Sequence, residues 1–258
     1  MNRYAANGEI RIDITQIDLL LPRLGRQFDR FRLVQFSDLH IGTWLNKARL
    51  SKVIDLVNQL NPDLIAMTGD YVTFEPQRFA GILVEAFQHL QSKHGVVAVL
   101  GNHDHWTDAR VIRQVFRRSG VIDLSNCVLT LQRGADQLHI AGVDDMLEDL
   151  ADLEIVLAQI PAQGEAILLA HEPDFADCSA GVGRFSLQIS GHTHGGQVVL
   201  PLIGPPLLPP GGRKYPIGRY QINGMVQYTN RGIGTTSIQV RLNCSPEITV
   251  FNLLAAEN

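Results

Sequence analysis

The sequence of 258 residues predicts an α/β or mixed β-sandwich fold, and three observations carry that reading. Short apolar runs alternate with amphipathic segments, polar clusters open where those apolar runs stop, and helical periodicity disappears after Gly195. Taken in order, Glu9 to Ile14 alternates polar and apolar residues and reads as an edge strand. Phe31 to Phe36 reads as a buried strand. Asn46 can cap a helix running to about Leu60, because Leu50, Val53, Ile54, Val57 and Leu60 recur at helical spacing. Asn61-Pro62 ends it. Leu64 to Thr68 is the next strand, followed by a helix from about Pro76 to Gln91. Val96 to Leu100 is a strand, and Thr107 can cap a helix to about Ser119. Leu138 to Gly142, Ala166 to Ala170 and Leu187 to Ser190 are further strands. Gly and Pro then cluster through PLIGPPLLPPGGRKYPIG, and strands follow at Met225 to Thr229 and Ile248 to Leu253. Neither an internal repeat nor a charged linker divides the chain. The expectation is a single domain over residues 1–258 with a β-rich part from about residue 195.

Composition narrows the class. With 45% hydrophobic and 19% charged residues the chain can build a substantial core and is no disordered polymer. A net charge of −4 supplies no basic field, which argues against long nucleic acid as a partner. Cys127, Cys178 and Cys244 cannot all pair and show no CxxC spacing, so neither a disulfide framework nor a cysteine zinc site is expected. A reducing compartment suits them. The opening MNRYAANGEIRIDITQ contains no apolar run of signal-peptide or membrane-span length. The expected location is cytoplasmic, with peripheral membrane contact as the alternative placement.

Five polar clusters begin at strand ends: Ser37-Asp38-Leu39-His40, Thr68-Gly69-Asp70, Gly101-Asn102-His103-Asp104-His105, Ala170-His171-Glu172 and Ser190-Gly191-His192-Thr193-His194. The crevice outside the carboxyl ends of strands is where open sheets bind ligands, and neighbouring strands lie about 4.8 Å apart. Asp38 and His40 are two apart, as are His192 and His194, so an extended backbone would aim each pair to one side. Carboxylate, amide oxygen and imidazole together suit divalent Mn, Fe, Co or Zn. Asp38, His40, Asp70, Asn102, His171, His192 and His194 are too many ligands for one tetrahedral ion. They match two ions about 3.5–4 Å apart, an arrangement that clamps the attacking and leaving oxygens of phosphoryl transfer. Asp70 is the carboxylate placed to bridge them. No GxxxxGK[ST] phosphate loop occurs.

As an ordered set, Asp38-x-His40, Gly69-Asp70, Gly101-Asn102-His103-Asp104, His171 and Gly191-His192-x-His194 resemble the five blocks of the calcineurin-like metallophosphoesterases. The core resemblance runs from about Phe31 to Val198. It implies a two-sheet mixed β-sandwich flanked by helices, with Asp38, His40, Asp70 and His194 on one ion and Asp70, Asn102, His171 and His192 on the other. His103 would then face the substrate phosphate, with Asp104 supporting it. Phe36 to Gly42, Gly142-Val143-Asp144-Asp145, His171-Glu172-Pro173-Asp174, GHTHGGQV and the tail from Asn230 to Gly234 and Arg241 to Ile248 resemble the bacterial YkuE/YaeI-like branch. Members of that branch are often membrane-associated phosphodiesterases, and relatives hydrolyse UDP-2,3-diacylglucosamine. This chain departs in lacking the anchor or export signal many members carry, and in having His105 where an aromatic residue is common.

Plainer readings stand beside these. A lone Gly-Asp usually serves a turn, and His89, His94 and His139 lie outside the blocks as ordinary residues. Asp144 and Asp145 read as caps or turns, and Glu172 as a support for His171 or a solvent-facing residue. His105 reads either as a substrate contact or as a support for its neighbours. The uncharged run Val198 to Pro210 is either a packed loop or an apolar lip that accepts an acyl chain or touches a membrane. Arg213, Lys214, Arg219 and Arg231 are the basic side chains available for phosphate or headgroup. The functional expectation is a binuclear phosphoesterase that cleaves phosphodiester or pyrophosphate bonds through a metal-bridging hydroxide, with lipid-linked substrates in range. The rivals are a nuclease or cyclic-nucleotide phosphodiesterase, and a non-catalytic metal-binding scaffold on the same fold, as in the retromer scaffold.

Overall fold

The computed structural model describes residues 2–4, 11–236 and 239–256. Strands β1 (Asn2–Tyr4), β2 (Ile12–Leu21) and β3 (Phe31–Phe36) precede helix α1 (Lys47–Gln59). Next come β4 (Leu64–Thr68), α2 (Pro76–Gln88), β5 (Val96–Val99), α3 (Asn102–Thr107), α4 (Ala109–Ser119) and β6 (Ile122–Asp123). The second half holds β7 (Cys127–Arg133), β8 (Asp136–Gly142), α5 (Leu153–Gln159), β9 (Glu165–Leu169), α6 (Ala176–Gly181) and β10 (Leu187–Ser190). It ends with β11 (Gly218–Ile222), β12 (Met225–Thr229) and β13 (Glu247–Ala255).

These strands form two mixed sheets, one ordered β1-β2-β13-β3-β4-β5-β6 and the other β11-β12-β10-β9-β8-β7. Within the first, β3, β4, β5 and β6 run parallel; within the second, β8, β9, β10 and β12 do. Their inner faces meet in one core that includes Phe31, Leu33, Val99, Ile140, Leu169, Ile189 and Phe251. On the outside of the first sheet, Leu50, Val53, Ile54 and Val57 of α1 pack with Leu83 of α2 and Ile112 and Phe116 of α4. Outside the second sheet, Val156 of α5 and Ala176 and Ala180 of α6 cover Ala166 and Leu168. Helices therefore sandwich the sandwich, as the sequence predicts.

Local chemistry explains most boundaries. Asn46 caps α1, its side-chain oxygen accepting the Arg49 N–H at 3.0 Å. At α4 the cap is Asp108, whose carboxylate accepts from Arg110 N at 3.1 Å. Thr107, expected as the cap, instead donates its hydroxyl back to the His103 carbonyl, because it closes the short helix α3. The edge strand expected at Glu9 to Ile14 starts at Ile12, with Glu9 and Ile10 outside the described residues. It is flanked on both sides at its start, since β13 pairs along its whole length and β1 pairs with Ile12 to Ile14. Strands β7 and β11 lie at the margins of the second sheet and carry weak hydrophobic signals: β7 buries only one position fully, and β11 alternates half-buried with exposed positions and buries none. Among the described residues no helix is long and apolar enough to cross a membrane.

The parallel strands decide where the site can be. β3, β4 and β5 release their chains next to the exits of β9 and β10, although the two groups belong to different sheets. Gln35, buried at the end of β3, donates from Nε2 to Thr68 Oγ1 at 2.9 Å and to the Ser190 carbonyl at 3.0 Å, tying the sheets at that level.

Candidate metal centre

Beyond each strand the backbone turns sharply. Asp38 (φ 52°), His40 (φ 45°), Asp70 (φ 59°), His192 (φ 74°) and His194 (φ 51°) all lie in the left-handed region. Each such non-glycine residue costs on the order of 1–3 kcal/mol and persists only where its surroundings over-determine it. The extended geometry expected for Asp38–His40 and His192–His194 is thus replaced by left-handed turns. The consequence is that His192 and His194 serve different clusters rather than one side. Backbone bonds hold the turns: Asp38 N donates to Gly69 O at 2.9 Å, His40 N to Asp70 O at 3.1 Å, and Gly191 N to His171 O at 3.0 Å. Gly69 (φ +91°) passes so close to His171 that a Cβ there would lie 2.4 Å from Nδ1.

Asp104 is the principal clamp. Its buried carboxylate accepts the backbone N–H groups of Asp70 and Tyr71 at 2.9 Å and of Gly101 at 3.0 Å. That corrects the expectation that Asp104 supports the His103 ring: its oxygens are spent on the backbone, joining the Asp70 turn to the start of α3.

Three groups of ligand atoms result: Asp38, His40 and His194; Asp70, His171 and His192; and His40, Asp70 and His103. His40 Nε2 lies 3.0 Å from His194 Nε2, and His194 Nε2 lies 3.4 Å from Asp38 Oδ1. His171 Nε2 lies 3.2 Å from His192 Nδ1. Asp70 joins the groups through one atom, Oδ2, which is 3.4 Å from His40 Nε2 and 3.3 Å from His171 Nε2. Its other oxygen accepts the His103 N–H at 2.9 Å.

The surroundings prepare these atoms to ligate. His171 Nδ1 faces the Thr68 carbonyl at 2.7 Å and His192 Nε2 the Pro210 carbonyl at 2.7 Å. A carbonyl can only accept, so each of those nitrogens carries a hydrogen; the opposite nitrogen is bare in His192, while in His171 it faces the Asp70 carboxylate. His40 Nδ1 meets Thr73 Oγ1 at 3.0 Å, which holds the ring's orientation, although a hydroxyl can donate or accept and so does not set the tautomer. His194 differs, since its Nδ1 lies 3.2 Å from the Arg241 guanidinium. Asn102 Oδ1 is buried without any hydrogen-bond partner, a cost that a cation at this position would offset. The donor set of carboxylate, imidazole and amide oxygen fits a divalent transition metal.

Electrostatics divide the groups. Burial lifts Asp38 to about 7 and drops His40 and His192 to about 3. Burial, helped by His40 and Arg241, holds His194 well below the usual imidazole range. His171 goes the other way: burial opposes its charged form, but the Asp70 carboxylate overrides it and raises His171 well above the ordinary value. Asp70, despite its burial, is held well below the carboxylate range by His171 and His40. A cation that ligates His171 must therefore displace its proton.

Asp38, His40, Asp70, Asn102, His103, His171, His192 and His194 are all brought to this one place. His103 is half-buried and stacks edge-on against His40 with ring centroids 4.8 Å apart. It opens onto a cleft of about 410 Å³ walled also by Trp106, Leu147, Gln197, Thr236 and Pro206 to Pro210. A larger hollow of about 640 Å³ between Arg11, Trp44, Thr235 and residues from Gln239 to Pro246 contains none of the sequence-predicted site residues in its wall. Three predicted contacts fall outside the cleft. Arg231 is paired with Glu247 at 2.8 Å and Asp13 at 3.4 Å, bracing β13 and β2. Arg213 is exposed, its backbone N–H held by Asp174. His105 turns away to Asp144 at 2.8 Å, and Asp144 in turn meets Arg113 at 2.7 Å. Glu172 is buried and accepts the Met146 N–H, and Lys214 pairs with Asp177. Trp106, Thr73 and Pro210 were missed; they flank the blocks or sit in the uncharged run, and only contact reveals their part.

An αββα sandwich whose parallel strands deliver Asp, Asn and His into one cleft is the architecture of a metal-dependent phosphoesterase. The chain belongs to the calcineurin-like phosphoesterase family, whose model matches residues 31–196. Among its relatives is the uncharacterized metallophosphoesterase YkuE of Bacillus subtilis, 34% identical over 248 residues, covering 94% of this chain and 85% of that protein. Phosphodiesterase YaeI of Escherichia coli is 28% identical over 231 residues, covering 87% of this chain and 82% of that one. A transmembrane protein with metallophosphoesterase domain from Danio rerio is 28% identical over 92% of this chain, which spans 56% of that protein's length. In fold, the chain is similar to the Thermus thermophilus sulfate thiohydrolase SoxB with a TM-score of 0.51 at 11% identity, over 78% of this chain and 51% of that one.

The His105–Asp144 pair predicts a pH signature. Burial would lower His105, but the hydrogen bond and charge of Asp144 raise it above 6.5. Such a pair stabilises fully below the unfolded value and loses its contribution as pH rises through the folded one. Thermal unfolding from about pH 6 to about pH 9 should show that loss in the wild type and a flatter profile in Asp144→Asn. Parallel profiles would remove the pair from the stability of α3.

Proposed function

We propose that the protein is a two-ion hydrolase of phosphodiester or pyrophosphate bonds. The observation that carries this reading is the single Asp70 oxygen set 3.4 Å from His40 Nε2 and 3.3 Å from His171 Nε2, one ligand atom common to two clusters. Asp38, His40, Asp70 and His194 would hold one cation, and Asp70, Asn102, His171 and His192 the other. Such a pair supplies Lewis acidity, which activates water near neutral pH and neutralises phosphoryl oxygens. The chain's own part is to orient and to move a proton. His103, half-buried on the cleft wall beside His40, is placed to protonate the departing oxygen or to stabilise charge on the phosphoryl group. The Escherichia coli relative is named a phosphodiesterase, which supports the diester reading.

The cleft favours a substrate with an apolar part. Leu207 and Leu208 line it together with Trp106, which is 60% exposed and held by Glu148 at 2.7 Å. Leu202 is fully exposed and Ile203 is 75% exposed on the same uncharged segment. Apolar side chains left in water beside a phosphate-binding centre support a lipid-linked phosphate ester and contact with the periphery of a membrane. The likeness to a transmembrane protein with metallophosphoesterase domain from Danio rerio, of which this chain spans 56%, is consistent with that placement.

Three experiments test the reading. Protein stripped by chelator and reloaded with Mn should take up about two ions per chain and regain hydrolysis of bis-p-nitrophenyl phosphate. Asp70→Asn should weaken both ions together, and saturation at a single ion with full activity would overturn the proposal. His103→Ala should keep both ions yet slow an alkyl phosphodiester on the order of 10²–10⁴-fold. The loss should be much smaller with a nitrophenolate leaving group, which departs unprotonated; equal losses would assign His103 to charge stabilisation alone. Leu207→Ser combined with Leu208→Ser should impair a diacyl-linked substrate and spare the small nitrophenyl diester. Equal impairment of both would mean ordinary packing damage instead.

A further inference from the structure

His192 is oriented from outside by a segment that has its own anchor. Its Nε2 donates to the Pro210 carbonyl at 2.7 Å, which leaves Nδ1 bare and aimed at His171 Nε2, 3.2 Å away. Pro210 opens a tight passage of chain rather than belonging to a strand or helix. What holds that passage is Asp174. Its own N–H donates to the Gly211 carbonyl at 2.9 Å. Its Oδ2 accepts from Arg213 N at 3.0 Å, and its Oδ1 accepts from Lys214 N at 3.0 Å and Tyr215 N at 3.3 Å. The passage has little room to shift. A Cβ on Gly212 would lie 2.4 Å from Thr193 Cγ2, and the Thr193 hydroxyl is committed to the Pro216 carbonyl at 2.7 Å.

We infer that Asp174 is a positioning residue for the second ion, acting through the Pro210 carbonyl on His192; the inference rests on the two-ion reading above. An acceptor on the far nitrogen of a ligating imidazole sets its tautomer, its orientation and its basicity. With the Asp174 side chain gone, three backbone N–H groups lose their common acceptor, and the passage at Pro210 is left with only the Asp174 N–H to Gly211 and Gly212 N–H to Pro209 backbone bonds, which loosens the Pro210 carbonyl against His192. The ring can then rotate, and Nδ1 loses its direction. The first ion is insulated from this change, because the outer nitrogen of His194 is approached by Arg241, from a different stretch of chain. Asp174 lies three residues beyond His171, so one short segment supplies a ligand of the second ion and steadies another.

The test is a titration of metal-free full-length protein with Mn(II) alone, followed by electron paramagnetic resonance, which distinguishes a coupled pair from an isolated ion. The wild type should fill two sites and show the coupled signal. Asp174→Ala should keep the first ion and weaken the second on the order of 10–100-fold, leaving the isolated-ion spectrum over that range. Gly212→Ala disturbs His192 by another route while Asp174 is intact, since its Cβ would lie 2.4 Å from Thr193 Cγ2 and 3.4 Å from His192 Cδ2, and it should also weaken the second ion. Asp174→Asn, which keeps one of the two acceptor oxygens, serves if Asp174→Ala fails to fold and should weaken the second ion to a smaller extent. Two ions bound as tightly in both variants as in the wild type would overturn the inference alone. Equal weakening of both ions would overturn it as well. A wild type that binds only one ion would overturn the two-ion reading and the inference with it.

Discussion

The geometry of this protein depends on one buried carboxylate. Asp70 is 2% exposed, yet His40, His171 and the His103 N–H all approach its two oxygens. Taking a charge out of water costs several kcal/mol even after relaxation, so a carboxylate in this position survives only if its partners are held in place around it. Those partners come from three strands and two sheets: His40 follows β3, His103 follows β5 and His171 follows β9, while Asp70 itself follows β4. The apolar core between the sheets is what sets their exits side by side. Phosphoesterase geometry here is thus a consequence of how two mixed sheets stack.

Around Asp70 the backbone is strained, and the strain is matched by polar satisfaction. Left-handed turns at Asp38, His40, Asp70, His192 and His194 free the side chains from the alternation of a strand and let them converge. Asp104 gathers three backbone N–H groups, and Asp38 accepts the His192 N–H at 3.0 Å while bonding to Ser37. Most buried polar atoms of the site therefore have partners. The Asn102 carbonyl oxygen does not, and its isolation among imidazoles and carboxylates is the feature least compatible with a purely structural site.

The segment after the last ligand pair has two roles that its composition alone conceals. Its side chains Leu207 and Leu208 wall the cleft, while the Pro210 carbonyl in the same stretch orients His192. The cleft wall and the orientation of the His192 ring thereby share a short, proline-stiffened length of chain. Asp174 and Gly212 fix that stretch from either side, one by hydrogen bonds and the other by the absence of a side chain.

Much of this was legible in the residues. The order of apolar runs and amphipathic helices defined the layers, and the Asp, Asn and His clusters marked the strand ends that meet at the site. Those signals are local, because periodicity, capping and strand exits depend on near neighbours in the chain. Asp104 and His105 show where locality fails: both sit in a block of ligand-type residues, yet one turns to backbone N–H groups and the other to Asp144 and, through it, Arg113. Arg231 likewise looks free in sequence and is consumed by Glu247 and Asp13, far from it along the chain. Strands β7 and β11 were hidden because at the sheet margins β7 buries a single position fully and β11 none. Residue types and their spacing determined which atoms were available for chemistry. Only the packing of one sheet on the other decided which way each side chain points, because a left-handed turn at a strand end is stabilised by partners that the local sequence does not contain.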